Sequence, residues 1–294
     1  MSAHCVWAVT RARRLVDLAN LVAAMSLDAF DGRIEPFGAE VNEVRNHAGQ
    51  IHVAAKIRDL LNGSEIIAQP KKHVQDPYSF RCIPQVHGAV YDAIDFVEAR
   101  LQEEINAPTD NPTIFPDDDI IVSAGNFHGE PIAMPMDYLA LALTELSNIS
   151  ERRIYKLIGG TRGLPSFLVA KPGLNSGFMI TQYTAASIVN QSKGLCWPTS
   201  CDSIPSSQGQ EDHVSMGANS ATKLIRVLDN TMRVLGIELM VAAQALEFRR
   251  PLKSSPVVEE FFKAYRLAVP FVDTDTFMSP HLNKSIDYIN ACIS

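Results

Sequence analysis

Residues 213–249, HVSMGANSATKLIRVLDNTMRVLGIELMVAAQALEFR, form the longest stretch of the chain with uninterrupted helical periodicity. Apolar residues recur at three- and four-residue intervals, and residues 214–245 carry them on more than one face. Pro251 follows and would end the helix. The stretch predicts one helix that spans much of the molecule and needs neighbours on several sides.

Other segments extend this helical pattern along the whole chain. Helices are predicted at residues 2–30, 42–61, 84–105, 131–157, 176–196, 213–249, 257–267 and 280–289. Apolar residues on both sides of an acidic Pro-containing turn predict a short β-hairpin near 114–122. We therefore expect an all-α fold, a single helical domain over residues 1–294 with long antiparallel helices. Helices that are apolar on several faces also suggest oligomerisation.

Composition excludes several classes of partner. The formal net charge is −7, from 33 acidic and 26 basic residues, and no basic stripe interrupts it. This argues against nucleic acid and anionic membrane surfaces as partners. No apolar run approaches the roughly 20 residues that cross a bilayer, and no secretory signal pattern is apparent.

The five cysteines contain no C-x-x-C pair, which is typical of free thiols in a reducing, cytoplasmic compartment. His47 and His52 lack the spacing of a helical metal site, so no metal is expected.

The polar loop 75–81 contains the first candidate site residues, Gln75, Tyr78 and Arg81. An Arg guanidinium pairs with carboxylates through two parallel hydrogen bonds, and a Tyr hydroxyl can donate, accept or act as a base. This combination suits a substrate with a carboxylate and an amine. On pattern alone, a structural loop in which the Arg pairs with a helix acid is favoured.

Two further segments combine polar groups with glycines. In 125–130, Phe127 lies between two glycines that would allow close backbone approach to a ligand, or the segment could simply cap the next helix. In 208–213, Glu211 could enter a pocket, but acids at a helix start more often serve as caps. Residues 151–153, Glu-Arg-Arg, are interpreted as a solvated or interface charge cluster.

Six short motifs favour the functional interpretation of these segments over the structural one, because the motifs occur together in a characteristic order. They are QDPYSFRCIPQVHG (75–88), TDNP (109–112), GNFHGE (125–130), SERR (150–153), GLNSGFM (173–179) and EDHVSM (211–216). In this order the chain resembles the C-terminal part of the aromatic amino-acid lyase family, and within it the histidine ammonia-lyases. The resemblance covers nearly the whole chain.

The resemblance implies a function and a set of residue roles. It implies non-oxidative deamination of L-histidine to trans-urocanate by an all-α homotetramer with active sites shared between subunits. Tyr78 would be an acid/base near the substrate amine, and Arg81 would hold the carboxylate with help from Gln75. Phe127 would flank the electrophile and the substrate, and Glu211 would face the imidazole. A carboxylate suits an imidazole N–H, whereas a hydrocarbon ring would leave it unpaired.

The family's electrophile is missing from the sequence. That group is a methylidene-imidazolone formed from an internal Ala-Ser-Gly, and no Ala-Ser-Gly occurs here. The near matches 123–125 (Ser-Ala-Gly) and 175–177 (Asn-Ser-Gly) belong to other motifs. We therefore expect the chain to need an N-terminal portion of the lyase and to be inactive alone. The alternatives are a non-catalytic helical assembly subunit, and an aminomutase or lyase of the same family acting on another aromatic amino acid.

Overall fold

The computed structural model describes residues 1–294 and consists of ten α-helices and one two-stranded sheet. The elements are α1 (Ser2–Ala29), α2 (Ala39–Glu43), α3 (Ala48–Leu61), α4 (Tyr78–Arg81), α5 (Ile83–Glu104), β1 (Thr113–Phe115), β2 (Ile120–Val122), α6 (Glu130–Leu157), α7 (Met179–Leu195), α8 (Gly217–Glu247), α9 (Pro256–Ala268) and α10 (Ser279–Ile293). The predicted all-α fold is confirmed. The predicted hairpin is also confirmed: β1 and β2 pair antiparallel, with Ile114 opposite Ile121.

The long helix α8 forms the centre of the molecule. It begins four residues later than predicted, because Met216 adopts a left-handed backbone conformation immediately before it. Every residue from Val234 to Leu246 is buried, and α1, α6, α7 and α10 all pack against this helix. The neighbours that its apolar faces require are therefore supplied within the chain.

The predicted helix over 42–61 is wrong as a single element, since it is divided into α2 and α3. Asn46 lies between them with a φ of 59°, a left-handed conformation that Asn tolerates but that ends a right-handed helix. The Asn42 amide donates to the carbonyl oxygens of Pro36 (3.1 Å) and Gly38 (2.8 Å), which ties α2 back onto the preceding turn.

The long helices run alternately up and down the molecule. At one end, which we call the amino end, the Met1 side chain packs against Gly129 and Gly217, where α6 and α8 begin. At the opposite end, the carboxyl end, the Arg249 Nε donates to the Ala29 carbonyl at 2.8 Å, so α1 and α8 also finish together. Helices α1, α6 and α8 thus share one direction, and α5 and α7 connect them by running antiparallel.

An ion pair lies inside this bundle. The Arg153 guanidinium donates to both carboxylate oxygens of Glu238, Nε at 2.6 Å and Nη2 at 2.8 Å, and both side chains are fully buried. Ser26 and Ser150 complete the carboxylate with hydrogen bonds of 2.7 and 2.5 Å. The interpretation of residues 151–153 as a solvated or interface charge cluster is therefore wrong for Glu151 and Arg153, which are buried, and only Arg152 is exposed.

A chain of hydrogen bonds leads from the ion pair across α5 to α1. Arg153 Nη1 lies 3.3 Å from His87 Nε2, and His87 Nδ1 lies 2.8 Å from Asn20 Oδ1. The Asn20 amide donates to the Tyr91 hydroxyl at 3.3 Å, and that hydroxyl donates to Asp17. Burial, reinforced by the Arg153 charge, lowers the pKa of His87 well below its ordinary value. The ring is therefore neutral, with its proton on Nδ1.

Replacement of Glu238 by Gln tests the ion pair. Glu238→Gln is expected to lower the free energy of unfolding by about 3–5 kcal/mol, because Arg153 would keep a buried charge without its counterion. Urea denaturation followed by circular dichroism measures this change. Glu103→Gln is the control, since Glu103 pairs with Arg100 on the surface, where such a pair contributes at most about 1 kcal/mol. Equal midpoints for the two variants would contradict the assignment.

Candidate active site

The segment that carries Gln75, Tyr78 and Arg81 is held at the carboxyl end by buried contacts. The Asp76 carboxylate accepts from the Arg33 backbone N–H at 2.6 Å and from Arg162 Nη1 at 3.1 Å. Two residues after Tyr78, the Phe80 ring stacks on Phe30 with centroids 4.3 Å apart. The loop is thereby fixed on both sides of Tyr78.

Gln75, Tyr78 and Arg81 form one cluster on this segment. The Arg81 guanidinium lies over the Tyr78 ring, 4.7 Å from its centroid, and Nη1 donates to Gln75 Oε1 at 3.0 Å. This is the only hydrogen bond that the Arg81 side chain makes within the chain, and its Nε, which is buried, has no partner. Tyr78 is 71% exposed. An oriented Arg with unused donors beside an exposed phenol can bind a carboxylate.

Pro77 and Arg162 belong to a neighbouring cavity of about 560 Å³ at the same end of the molecule. Its lining also includes two tyrosines, Tyr155 and Tyr183, and the cation Lys156. The Arg162 guanidinium stacks over Phe30 at 4.9 Å while it pairs with Asp76. Sequence reasoning missed Asp76 and Arg162 as supports of the loop, although the Asp lies within the quoted motif.

Phe127 and Glu211 line a different pocket, of about 420 Å³, at the amino end. Phe127 is 58% exposed. The Glu211 carboxylate is exposed and accepts from Ser206 Oγ at 2.6 Å. Hydrogen bonds from Ser206 and then Ser207 lower the pKa of Glu211 below its ordinary value. Helix α8 starts six residues after Glu211 and has no side-chain cap, so the capping role that pattern alone favoured for residues 208–213 is wrong.

The two clusters are separated by nearly the full length of the bundle. Met1 packs against Gly129, which lines the Glu211 pocket, whereas Phe30 stacks on Phe80 beside Tyr78. Helix α1 has 28 residues between these two points, which corresponds to about 40 Å at 1.5 Å per residue. No hydrogen bond or ion pair joins the two clusters. One copy of the chain does not bring all five candidate residues into a single pocket.

The family profile of aromatic amino acid lyases matches residues 1–267 of this sequence. The chain belongs to this family. It is 49% identical over 293 residues to a histidine ammonia-lyase from Caldanaerobacter subterraneus subsp. tengcongensis, and this match covers 99% of the chain. The chain spans 58% of the length of that lyase.

Solved structures of family members have the same fold. A histidine ammonia-lyase from Trypanosoma cruzi superposes with a TM-score of 0.92 and 41% identity, covering 99% of the chain and 55% of that structure. A tyrosine aminomutase from Streptomyces globisporus superposes with a TM-score of 0.95 and 34% identity, covering 99% and 60%. The lyase fold therefore does not by itself separate ammonia-lyases from aminomutases.

None of the ten helices combines the length and the apolar character that a bilayer-spanning segment needs.

The separation of the two clusters can be measured with spin labels. Val74→Cys and Ile204→Cys place labels beside Gln75 and near Ser206, in a chain whose native cysteines are replaced by Ser. The double electron–electron resonance distance should be about 40 Å, as α1 requires, when labelled chain is diluted with unlabelled chain. Labels at Phe127→Cys and Ile204→Cys provide a short-distance control. A main distance below about 25 Å for the first pair would contradict the arrangement.

Proposed function

We propose that this chain is the substrate-holding portion of an ammonia-lyase that converts L-histidine to trans-urocanate and ammonia. The observation that carries the proposal is the occurrence of Glu211 and an exposed Phe127 in one pocket. A carboxylate accepts the imidazole N–H, and an aromatic face packs on the flat ring. The 49% identity to a histidine ammonia-lyase supports the same substrate.

The carboxyl-end cluster supplies the groups that hold the amino-acid part of the substrate. Arg81, oriented by Gln75 and by the Tyr78 ring, binds the substrate carboxylate through its unused donors. The exposed Tyr78 hydroxyl then lies beside the substrate amine and Cβ, where it can transfer a proton. The reaction removes one proton from Cβ and the amine from Cα, and the electron pair of the C–H bond forms the double bond.

The chain's own residues fit a planar electrophile supplied by another segment. Phe127 is exposed, and a Cβ added to the neighbouring Gly125 would meet nothing within 4 Å, so a flat group can approach this backbone. In the family, a methylidene-imidazolone supplies an electrophile that makes the amine a better leaving group. No Ala-Ser-Gly occurs in this sequence, so we propose that an N-terminal portion of the lyase provides it.

The 40 Å separation supports active sites built from more than one copy of the chain. Arg81 of one copy and Glu211 of another would face the same substrate. A homotetramer in the cytoplasm is the assembly that we propose. Exposed apolar side chains on α5 and α6, including Phe96 (50%), Met134 (59%) and Leu141 (55%), are available for contacts between copies.

An aminomutase of the same family is the second candidate, because the superposition with a tyrosine aminomutase gives a TM-score of 0.95. It would return a β-amino acid instead of urocanate. The Glu211 carboxylate favours an imidazole over a phenol or phenyl ring. A non-catalytic assembly subunit is the remaining alternative, and it leaves the unused donors of Arg81 without a role.

Reconstitution with an N-terminal lyase portion that contains Ala-Ser-Gly tests the catalytic proposal. Urocanate absorbance should rise only when both portions are present. Arg81→Ala should lower kcat/KM at least about 30-fold, because a charge-assisted pair with the substrate carboxylate is lost. Lys263→Ala, at an exposed position of α9, is the control. Turnover by this chain alone, or an unchanged rate for Arg81→Ala, would contradict the proposal.

Replacement of Glu211 by Gln tests the assignment of the substrate ring. Glu211→Gln should lower kcat/KM for histidine by about 10- to 100-fold, since a hydrogen bond to a charged acceptor is replaced by a neutral one. Deamination of phenylalanine should not fall. Both products can be followed by absorbance and identified by mass spectrometry. Equal losses for the two substrates would exclude an imidazole-specific role, and a β-amino acid product would favour the aminomutase.

A further inference from the structure

The Glu211 pocket is built from two loops that meet through a pair of histidines. His128 Nε2 and His213 Nδ1 are 3.1 Å apart. The rings are inclined by only 23°, with centroids 5.2 Å apart. A nitrogen-to-nitrogen distance so much shorter than the centroid separation means that the rings meet edge to edge, in a hydrogen bond.

The direction of this hydrogen bond is set by the backbone. The Glu130 N–H donates to His128 Nδ1 at 3.3 Å, so Nδ1 is an acceptor and the proton of the neutral ring lies on Nε2. That N–H donates to His213 Nδ1. His213 in turn carries its own proton on Nε2. One backbone amide therefore fixes the tautomers of both rings.

The two histidines are close in sequence to the two candidate residues of the pocket. His128 directly follows Phe127, and His213 is two residues after Glu211. Both rings line the same pocket as Phe127 and Glu211. No other hydrogen bond joins the loop that contains Phe127 (123–129) to the loop that contains Glu211 (203–216). This contact is therefore the one hydrogen bond that links the loop of the aromatic face to the loop of the carboxylate, beside the packing of Ser215 and Met1 against Gly129.

We propose that His128 and His213 are positioning residues for recognition of the imidazole. They hold the Glu211 carboxylate at the correct distance from Phe127, without themselves taking part in the chemistry. This role rests on the proposed function, whereas the hydrogen bond between the two histidines is a feature of the chain whatever its function. Loss of the bond would leave the packed bases of both loops unchanged but would release the segments that carry Phe127 and Glu211 from each other.

The hydrogen bond can be tested on the isolated chain by nitrogen-15 NMR of the imidazoles. His128 should be the Nε2–H tautomer, and His213 Nδ1 should show the shift of a hydrogen-bonded acceptor. His128→Leu should remove that shift, and His128→Gln should keep it, because the Gln amide places an N–H near the former Nε2. Protonated Nδ1 on His213, or a shift unaffected by His128→Leu, would overturn the proposal.

The positioning role is tested by kinetics of the reconstituted enzyme. His128→Leu and His213→Leu should each raise the KM for histidine about tenfold, the loss expected for one hydrogen bond, with kcat nearly unchanged. His128→Gln and His213→Asn keep a donor and an acceptor, respectively, near the original nitrogens and should restore the KM. The double Leu variant should be no worse than either single one.

The outcomes separate the two proposals. If the wild-type chain shows the NMR signature of the hydrogen bond but His128→Leu has a wild-type KM, the positioning role alone is overturned. A raised KM that His128→Gln does not restore would also overturn it, since the loss would then come from packing. Absence of histidine turnover by the wild-type assembly would overturn the proposed function and the positioning role together, with the hydrogen bond still decided by NMR.

Discussion

The buried contact between Arg153 and Glu238 determines how the long helices meet. Two charges taken out of water are costly unless every donor and acceptor is satisfied, and here α1, α5, α6 and α8 all contribute partners. A shift of any one helix by a single turn would leave a charge or a hydroxyl unpaired. The ion pair thus acts mainly as a constraint on helix register, which apolar contacts alone would leave loosely defined.

The same guanidinium connects the core to the substrate-holding loop. Arg153 Nη1 lies 3.4 Å from the Ser79 carbonyl oxygen, inside the short helix that carries Tyr78 and Arg81. Asp76 and Phe80 anchor this segment on either side of Tyr78. The exposed groups of the cluster therefore extend from a rigid base, as a site that must orient a small amino acid requires.

Much of the fold follows from hydrophobic periodicity, because the helices are long and their apolar faces are wide. What the sequence could not supply was of two kinds. The break at Asn46 and the late start of α8 depend on left-handed residues that no periodic pattern reveals. The burial of Arg153 depends on Glu238, a residue 85 positions away, and an isolated Glu-Arg-Arg gives no sign of such a partner.

For the candidate site residues, the sequence indicated their chemistry but not the distance between the two clusters that they form. The motif at residues 75–88 places Gln75, Tyr78 and Arg81 in one cluster correctly, because these residues are close in sequence. Nothing in the motifs indicates that Glu211 lies at the other end of α1. Only the direction of the helices, set by Met1 at one end and Arg249 at the other, reveals it.

The shared direction of α1, α6 and α8 also gives the molecule an electrical polarity. Aligned peptide dipoles place partial positive charge at helix starts and partial negative charge at helix ends. Three starts meet near the Glu211 pocket, and the ends of α1 and α8 meet near Arg81. The Glu211 carboxylate therefore lies at the end where three helix starts place partial positive charge, whereas at the other end the start of α5, two residues after Arg81, offsets the ends of α1 and α8.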